Sequence, residues 1–267
     1  MRSMIKYGRR FLLLLILVAS CLPAIADITA GPLTLVLDIP PGGSGTGYFK
    51  VANDGTEAEE VTISLADWSL DPNGNIRISD PGTEPRSLAD WIEYSPATFK
   101  LEPGQVQQVE FTISVPSREG GDHWALFFVE GSKVTPVAKT TGELQTAINV
   151  KVRYGIKVFQ HDPSATKAGR ITGMELLGTD PLRIKVEFAN TGETVLWNVT
   201  GRVEIRDVTG ATVRTLEIEG FTVLPGGKRE LILEDKGGRL AAGDYIALAI
   251  IDFGGDYLVG HQLQFRI

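Results

Sequence analysis

Two short landmarks recur at one fixed spacing, and that spacing constrains the fold more than anything else in the chain. Phe99-Lys-Leu-Glu-Pro-Gly104 returns as Phe221-Thr-Val-Leu-Pro-Gly226, 122 residues further on. Gly121-Asp-His-Trp-Ala-Leu-Phe-Phe-Val129 returns as Gly243-Asp-Tyr-Ile-Ala-Leu-Ala-Ile-Ile251, again 122 residues on. An identical offset, with no gap between the landmarks, marks one structural unit used twice. A third landmark, Phe49-Lys-Val-Ala-Asn-Asp-Gly55, matches Val186-Glu-Phe-Ala-Asn-Thr-Gly192 at an Ala-Asn spacing of 137, so the first unit carries 15 extra residues before Pro103. The extra length falls in DPNGNIRISDPGTEPRSLADW (Asp71 to Trp91), which reads as a hairpin plus a loop. Asp71, Asn73 and Asn75 imitate the opening of a calcium loop, but no Glu closes it, and a turn is expected there instead.

The repeated unit is built of strands. Val109, Phe111, Ile113 and Val115 alternate with Glu110, Thr112 and Ser114, the period of a half-buried strand. Ile148, Val150, Val152 and Tyr154 alternate in the same way with Asn149, Lys151 and Arg153, and Val203 and Ile205 with Glu204 and Arg206. Turn signals such as Asn53-Asp54-Gly55, Pro72-Asn73-Gly74, Pro103-Gly104 and Pro225-Gly226-Gly227 separate the runs, and no segment sustains a helical period. The expected fold is all-β: two tandem immunoglobulin-like β-sandwiches of about 100–130 residues each. The first is placed at residues 27–160, the connector HDPSATKAG at 161–169, and the second at 170–267.

The N-terminus reads as an export signal. Arg2, Lys6, Arg9 and Arg10 precede the apolar run Phe11 to Leu22, and Ala24-Ile25-Ala26 supplies the small-x-small pattern of a cleavage site, which sets residues 1–26 apart as a signal peptide. Val18-Ala19-Ser20-Cys21 fits a lipoprotein box only loosely; membrane association is expected only if Cys21 is lipidated. Export places the protein in the periplasm or outside the cell. Beyond residue 26 there is no cysteine, and 22 basic residues face 33 acidic ones for a net charge of −11. Such an acidic chain without a basic cluster is a poor partner for nucleic acid or anionic lipid, and it must be stabilised by apolar burial rather than disulfides.

Catalytic and metal-binding patterns are missing from the sequence. His123, His161 and His261 are scattered without spaced partners and read as structural or solvent-facing. There is no nucleophile elbow, zinc-ligand pair or phosphate-binding glycine loop, so no catalytic residue, no metal ligand and no cofactor is expected. Acidic pairs such as Glu59-Glu60 read as solvated surface. A glycosidase needs only two carboxylates brought together by folding, which a single sequence does not reveal. The reading preferred over an enzyme is a binding protein.

Two strands carry the binding signal. Gly121 to Val129 is apolar on both faces, with Trp124, Leu126 and Phe128 on one and Ala125, Phe127 and Val129 on the other. One face serves the core, and the other must be covered by the second unit, a neighbouring element or a partner. Ala147 to Phe159 (AINVKVRYGIKVF) is long for a strand: Ile148, Val150, Val152, Tyr154, Ile156 and Val158 share a face, and Lys151, Arg153 and Lys157 share the other. It reads either as the last strand of its own sheet or as an edge that pairs with an incoming strand by β-augmentation.

On these residues the N-terminal unit resembles the first domain of the periplasmic pilus-assembly chaperones. SPATFKLEPGQVQQVEFTISVP (Ser95 to Pro116) is similar to their Leu-x-Pro-Gly turn and following strand, and GELQTAINVKVRYGIKVF (Gly142 to Phe159) to their last strand. The resemblance implies a non-enzymatic chaperone that lends this strand to a pilin-like subunit. Ile148, Val150, Val152, Tyr154 and Ile156 would pair with that subunit, and Arg153 or Lys151 would help to bind its C-terminal carboxylate. The companion arginine that the family has on its first strand finds no match in Ile28 to Gly43, which contains no basic residue. A second resemblance is to the two-domain WxL-interacting surface proteins, carried by GYFKVANDGTEAEEVTISLADWSLDPNGNI (Gly47 to Ile76) and LAAGDYIALAIIDFGGDYLVGHQLQFRI (Leu240 to Ile267). It implies a structural or adhesive envelope module that binds cell-wall material or a surface protein. Both resemblances imply a non-enzymatic protein of immunoglobulin-like sandwiches, and the partner expected here is a protein.

Overall fold

The computed structural model describes residues 28–133 and 151–267. Ten strands come first: β1 (Ile28–Gly31), β2 (Thr34–Asp38), β3 (Ser44–Asn53), β4 (Glu59–Leu70), β5 (Ile76–Ser79), β6 (Ile92–Ser95), β7 (Thr98–Leu101), β8 (Val106–Ser114), β9 (His123–Lys133) and β10 (Val152–His161). They form two facing sheets, ordered β1-β3-β8-β6 and β2-β10-β9-β4-β5, with β7 also paired to β4. Seven more follow: β11 (Gly169–Thr179), β12 (Leu182–Asn190), β13 (Leu196–Asp207), β14 (Thr212–Val223), β15 (Lys228–Glu234), β16 (Asp244–Asp252) and β17 (Val259–Arg266). Their sheets are ordered β11-β12-β15 and β14-β13-β16-β17. The chain is thus two immunoglobulin-like β-sandwiches. The one helical turn among the described residues is a 3₁₀ segment at Ala89–Trp91.

Each sandwich is held by the inward half of its alternating strands. In the first, Val109, Phe111 and Ile113 of β8 meet Phe49 and Val51 of β3 and Ala125, Phe127 and Val129 of β9. The Phe127 ring lies 5.2 Å from those of Phe49 and Tyr94 and 5.5 Å from that of Phe111. Each such side chain withdrawn from water contributes about 1.5–3 kcal/mol. The second core is assembled in the same way from Ile184, Val186 and Phe188 of β12, Val203 and Ile205 of β13, and Ala247, Ala249 and Ile251 of β16.

The internal repeat is a repeat of structure. Strands β9 and β16 each lie between the following strand and the long strand that comes after the Ala-Asn-x-Gly landmark, β4 in one case and β13 in the other. The Ala-Asn-x-Gly landmark ends β3 and β12 with a buried asparagine that makes the same bonds in both copies. Asn53 Nδ2 donates to the carbonyls of Glu57 (2.8 Å) and Leu101 (3.0 Å), and its Oδ1 accepts from Gly55 N–H at 2.9 Å. Asn190 Nδ2 donates to Thr194 (2.8 Å) and Val223 (3.0 Å), and its Oδ1 accepts from Gly192 N–H at 3.0 Å. The asparagine therefore ties the end of one strand to the strand entering the Pro-Gly turn. There Gly104 and Gly226 take φ of 76° and 74°, a left-handed conformation that glycine adopts at little cost.

The extra residues of the first unit form the β4–β5 hairpin and the loop after it. Asp71 closes the hairpin: its Oδ1 accepts from Asn73 N–H and Asn75 N–H at 3.0 and 2.9 Å, the self-bonding of an Asx turn. Buried Asp67 then gathers the loop, accepting from Thr83 N–H, Glu84 N–H and the Ser87 hydroxyl at 2.8, 2.9 and 2.6 Å. One expectation is corrected. Glu59 is not solvated surface but only 3% exposed, because β4 turns it inward beside Gly131, whose missing side chain leaves room for the carboxylate. Glu60 does face solvent.

Candidate strand-pairing edge

Among the described residues, β10 is closed on one side along nearly its whole length and on the other along only half of it. Strand β9 pairs with it antiparallel from Val152 to Gln160. On the opposite side β2 runs parallel to it, but only from Lys157 to His161. The reason lies in the path of the first strands. β1 belongs to the other sheet, paired with β3, and the chain crosses at Pro32-Leu33 before joining β10 as β2. The last bond on this side is Lys157 N–H to the Leu33 carbonyl, 2.9 Å. Backbone groups alternate in direction along a strand. The N–H and C=O of Gly155 and Arg153 therefore point the same way as those of Lys157, into a side that no described strand occupies.

Side chains divide along the same alternation. Ile156 and Val158 are fully buried in the first core, and half-buried Tyr154 packs against it. Val152, also half-buried, stands opposite Gly131, and Tyr154 opposite Val129. Ile148 and Val150, the other two positions expected to pair with a partner, lie outside the described residues. So do the signal segment and Cys21. On the outer face the expected anchor Arg153 is engaged: it forms an ion pair with Glu130 and its guanidinium lies 4.5 Å from the Phe128 ring centroid. Lys151 is exposed, one residue before the strand begins. Lys157 is different. Its Nζ sits 4.9 Å from the Trp68 ring centroid, and no carboxylate among the described residues lies within ion-pair distance. It marks the boundary between the closed and open halves of β10.

The second apolar face of β9 is covered from within the molecule. Trp124 and Leu126 cluster with Trp68 of β4, Phe159 of β10, and Val195 and Leu224 of the second sandwich. Trp197, at the start of β13, stands edge-on to Phe159 with ring centroids 4.5 Å apart. Polar groups complete this seam. Asp122, 2% exposed, accepts from Val195 N–H (2.7 Å), Asp162 N–H (3.0 Å) and His161 Nδ1 (2.9 Å), while its own N–H donates to the Glu193 carbonyl at 2.8 Å. Gly121 before it has φ +82°, and a Cβ there would meet the Glu193 carbonyl oxygen at 2.8 Å, so only glycine fits this approach. Its N–H donates to Asp162 Oδ2 at 2.9 Å. Burial acts to raise the Asp162 pKa, but hydrogen bonds from Ser164 and from Gly121 N–H outweigh it and hold the carboxyl below its ordinary value. His123 is buried beside them, its Nδ1 3.0 Å from the Gly121 carbonyl and 3.3 Å from Gln160 Oε1. Burial pushes its pKa down.

The three histidines differ in their surroundings: His161 bonds Asp122 at the seam, His123 is packed 4.4 Å from the Trp91 ring, and His261 is exposed on β17. Among the described residues no group of three or more His, Cys, Asp or Glu is placed to hold a metal ion. Sequence reasoning missed Lys157 and the Gly121–Asp122 clamp. The signal for the second was present, since a Gly-Asp pair preceding an apolar strand occurs twice; what the sequence conceals is that only the first copy faces the seam. Asp244, its counterpart, is exposed and paired with Arg266 at 2.6 Å.

No family model matches the chain. No curated protein matches it either. Solved structures do. A chain of a chaperone–tip adhesin complex of CFA/I fimbriae superposes with a TM-score of 0.51 at 9% identity, over 90% of this chain and 98% of that one. The class 5 fimbriae chaperone CfaA gives 0.48 at 10% identity over 89% and 98%. The CsuC–CsuE pre-assembly complex of Acinetobacter baumannii gives 0.46 at 12% identity over 90% and 98%. At this identity the first of these speaks for architecture: the chain has the two-sandwich fold found in that fimbrial chaperone–adhesin complex, over nearly the whole length of both chains.

Proposed function

We propose that the protein is a non-enzymatic, exported chaperone-like protein that holds a surface-structure subunit by pairing with one of its strands. The observation that carries this reading is the half-open edge of β10. Backbone groups at Arg153 and Gly155 that no described strand pairs are a template for an incoming strand, which would extend the line of β2 beyond Leu33. The fold is that found in a fimbrial chaperone–adhesin complex, and pilin-like subunits are the partner class this suggests. Export to the periplasm fits the N-terminal segment read from the sequence.

Within this reading the anchor for an acidic group moves from Arg153 to Lys157. The Arg153 charge is already compensated by Glu130, whereas the Lys157 ammonium stands over an aromatic face beside the open half of the edge.

The test uses proline to block a donor without breaking the sheet. Because the Arg153 N–H faces the open side, Arg153→Pro deletes a group offered to the partner and no bond to β9. Arg153→Ala removes the side chain alone. Co-purification of the subunit from the exporting cell should survive Arg153→Ala and fall at least about tenfold with Arg153→Pro. Equal capture by both variants, with melting temperatures unchanged, would rule out pairing at this edge. Lys157→Gln should weaken the captured complex more than Arg153→Gln.

A further inference from the structure

A cavity of about 580 Å³ opens between the two sandwiches on the side of the β4–β5 hairpin, away from the open half of β10. Its walls come from the end of β4, the loop before Leu88, and the turns Asn190–Glu193 and Leu224–Gly227. Leu70, Trp124 and Leu224 make the wall apolar, and this size suits a two-ring organic molecule.

The charges in it are unusual. Arg86 and Arg229 both line the cavity, and neither guanidinium has a carboxylate partner among the described residues. Arg86 is held by the carbonyls of Gly120 and Asp122 at 3.2 and 3.3 Å. Among the described residues Arg229 reaches only the carbonyls of Thr222 and Asn73, at 3.4 and 3.5 Å, and its buried Nε has no hydrogen-bond partner there. Its guanidinium lies under the hairpin turn and 5.4 Å from the Phe221 ring centroid. Burial holds its pKa below the ordinary guanidinium value, and the acidic group opposing that shift is Asp71. The oxygens of Asp71, however, are committed to Asn73, Asn75 and Arg77. Glu84, also on the wall, accepts from the Ser79 hydroxyl at 3.0 Å. With Lys228, three cations border the cavity against Glu84 and Glu193.

A desolvated guanidinium with long bonds and an orphaned N–H is costly, and a planar oxyanion is the group that matches its fork of donors. We propose that this cavity is a binding site for a small organic carboxylate with an apolar body, its carboxylate received by Arg229 and Arg86 and its rings lying between Leu70, Trp124 and Leu224. The site stands apart from strand pairing and does not depend on it.

The probe is naphthalene-1-carboxylate, compared with its neutral amide by calorimetry and by amide chemical shifts in the purified protein. Saturable binding of the carboxylate at millimolar or tighter affinity is expected, at least about tenfold stronger than the amide, with shifts at Gly192 and Gly226. Arg229→Met should abolish the preference for the charged form. If that variant does not fold, Arg229→Lys keeps the charge and loses the fork, and should reduce the preference. The proposal is overturned by no saturable binding of the carboxylate up to about 10 mM. It is equally overturned by equal affinity for acid and amide, by shifts confined to other regions, or by a preference that persists in folded Arg229 and Arg86 variants.

Discussion

Replacing Asp122 by alanine removes the acceptor on which the seam between the sandwiches converges. Three donors lose their partner: Val195 N–H at 2.7 Å, Asp162 N–H at 3.0 Å and His161 Nδ1 at 2.9 Å. The imidazole is about a third exposed and can turn to water. The two backbone groups cannot, because Val195 is 1% and Asp162 2% exposed. A buried donor left unsatisfied costs about 1–3 kcal/mol, so the two together should cost about 2–6 kcal/mol. Set against the usual net stability of about 5–15 kcal/mol, that is a large fraction. Trp68, Trp124 and Trp197 all lie at this seam, so intrinsic fluorescence reports it directly. In a urea titration Asp122→Ala should shift tryptophan emission to the red at a concentration below that of the wild type, ahead of the loss of β-sheet circular dichroism. The equivalent Asp244→Ala, on an exposed ion pair, should leave both curves in place. Coincident curves for Asp122→Ala and wild type, within about 0.5 kcal/mol, would refute the reasoning.

Three further outcomes follow from the same geometry. Asn53→Ala and Asn190→Ala each strip one Ala-Asn-x-Gly landmark of two donated bonds and one accepted bond, and each should lower stability by about 2–3 kcal/mol in chemical denaturation. Nearly equal values are expected because the bonds are the same in both copies. His123 is depressed in the folded state, chiefly by burial, so folding favours its neutral form. Its contribution is complete above the unfolded histidine pKa of about 6.5 and is lost as pH falls below that. Wild type should therefore lose urea stability as pH falls below about 6.5 in a component that His123→Gln removes. Gly121→Ala, which pairs a positive φ with a clash against the Glu193 carbonyl, should destabilise the protein, whereas Gly210→Ala, with φ +84° and open space, should do so less.

How much of this is written in the sequence depends on the range of the interaction. The alternation of Val109, Phe111 and Ile113 is local, and all three are buried as their spacing requires. The paired landmarks identify equivalent strands because both copies need the same asparagine bonds and the same left-handed glycine. Glu59 misleads, since a charged pair near a turn looks solvated until the small Gly131, far along the chain, is seen to leave room for its carboxylate. The open edge of β10 depends on where β2 begins to pair. Leu35 and Leu37 reveal a strand, but nothing local says that it crosses to the other sheet and lies parallel to a segment some 120 residues away. For the same reason Arg153 and Lys157 look alike in sequence. Glu130 on β9 and Trp68 on β4 set them apart, and both relations arise only from sheet order.

Amide hydrogen exchange along β10, followed residue by residue by NMR in the protein without a partner, tests the central claim most directly. Tyr154 and Ile156 face β9 and should be strongly protected, as should Lys157, bound to Leu33. Arg153 and Gly155 should exchange at least about a hundredfold faster than Tyr154 and Ile156, and should become protected when the partner strand is bound. Uniform protection from Val152 to Lys157 in the free protein would mean that the edge is already closed, and would contradict the account.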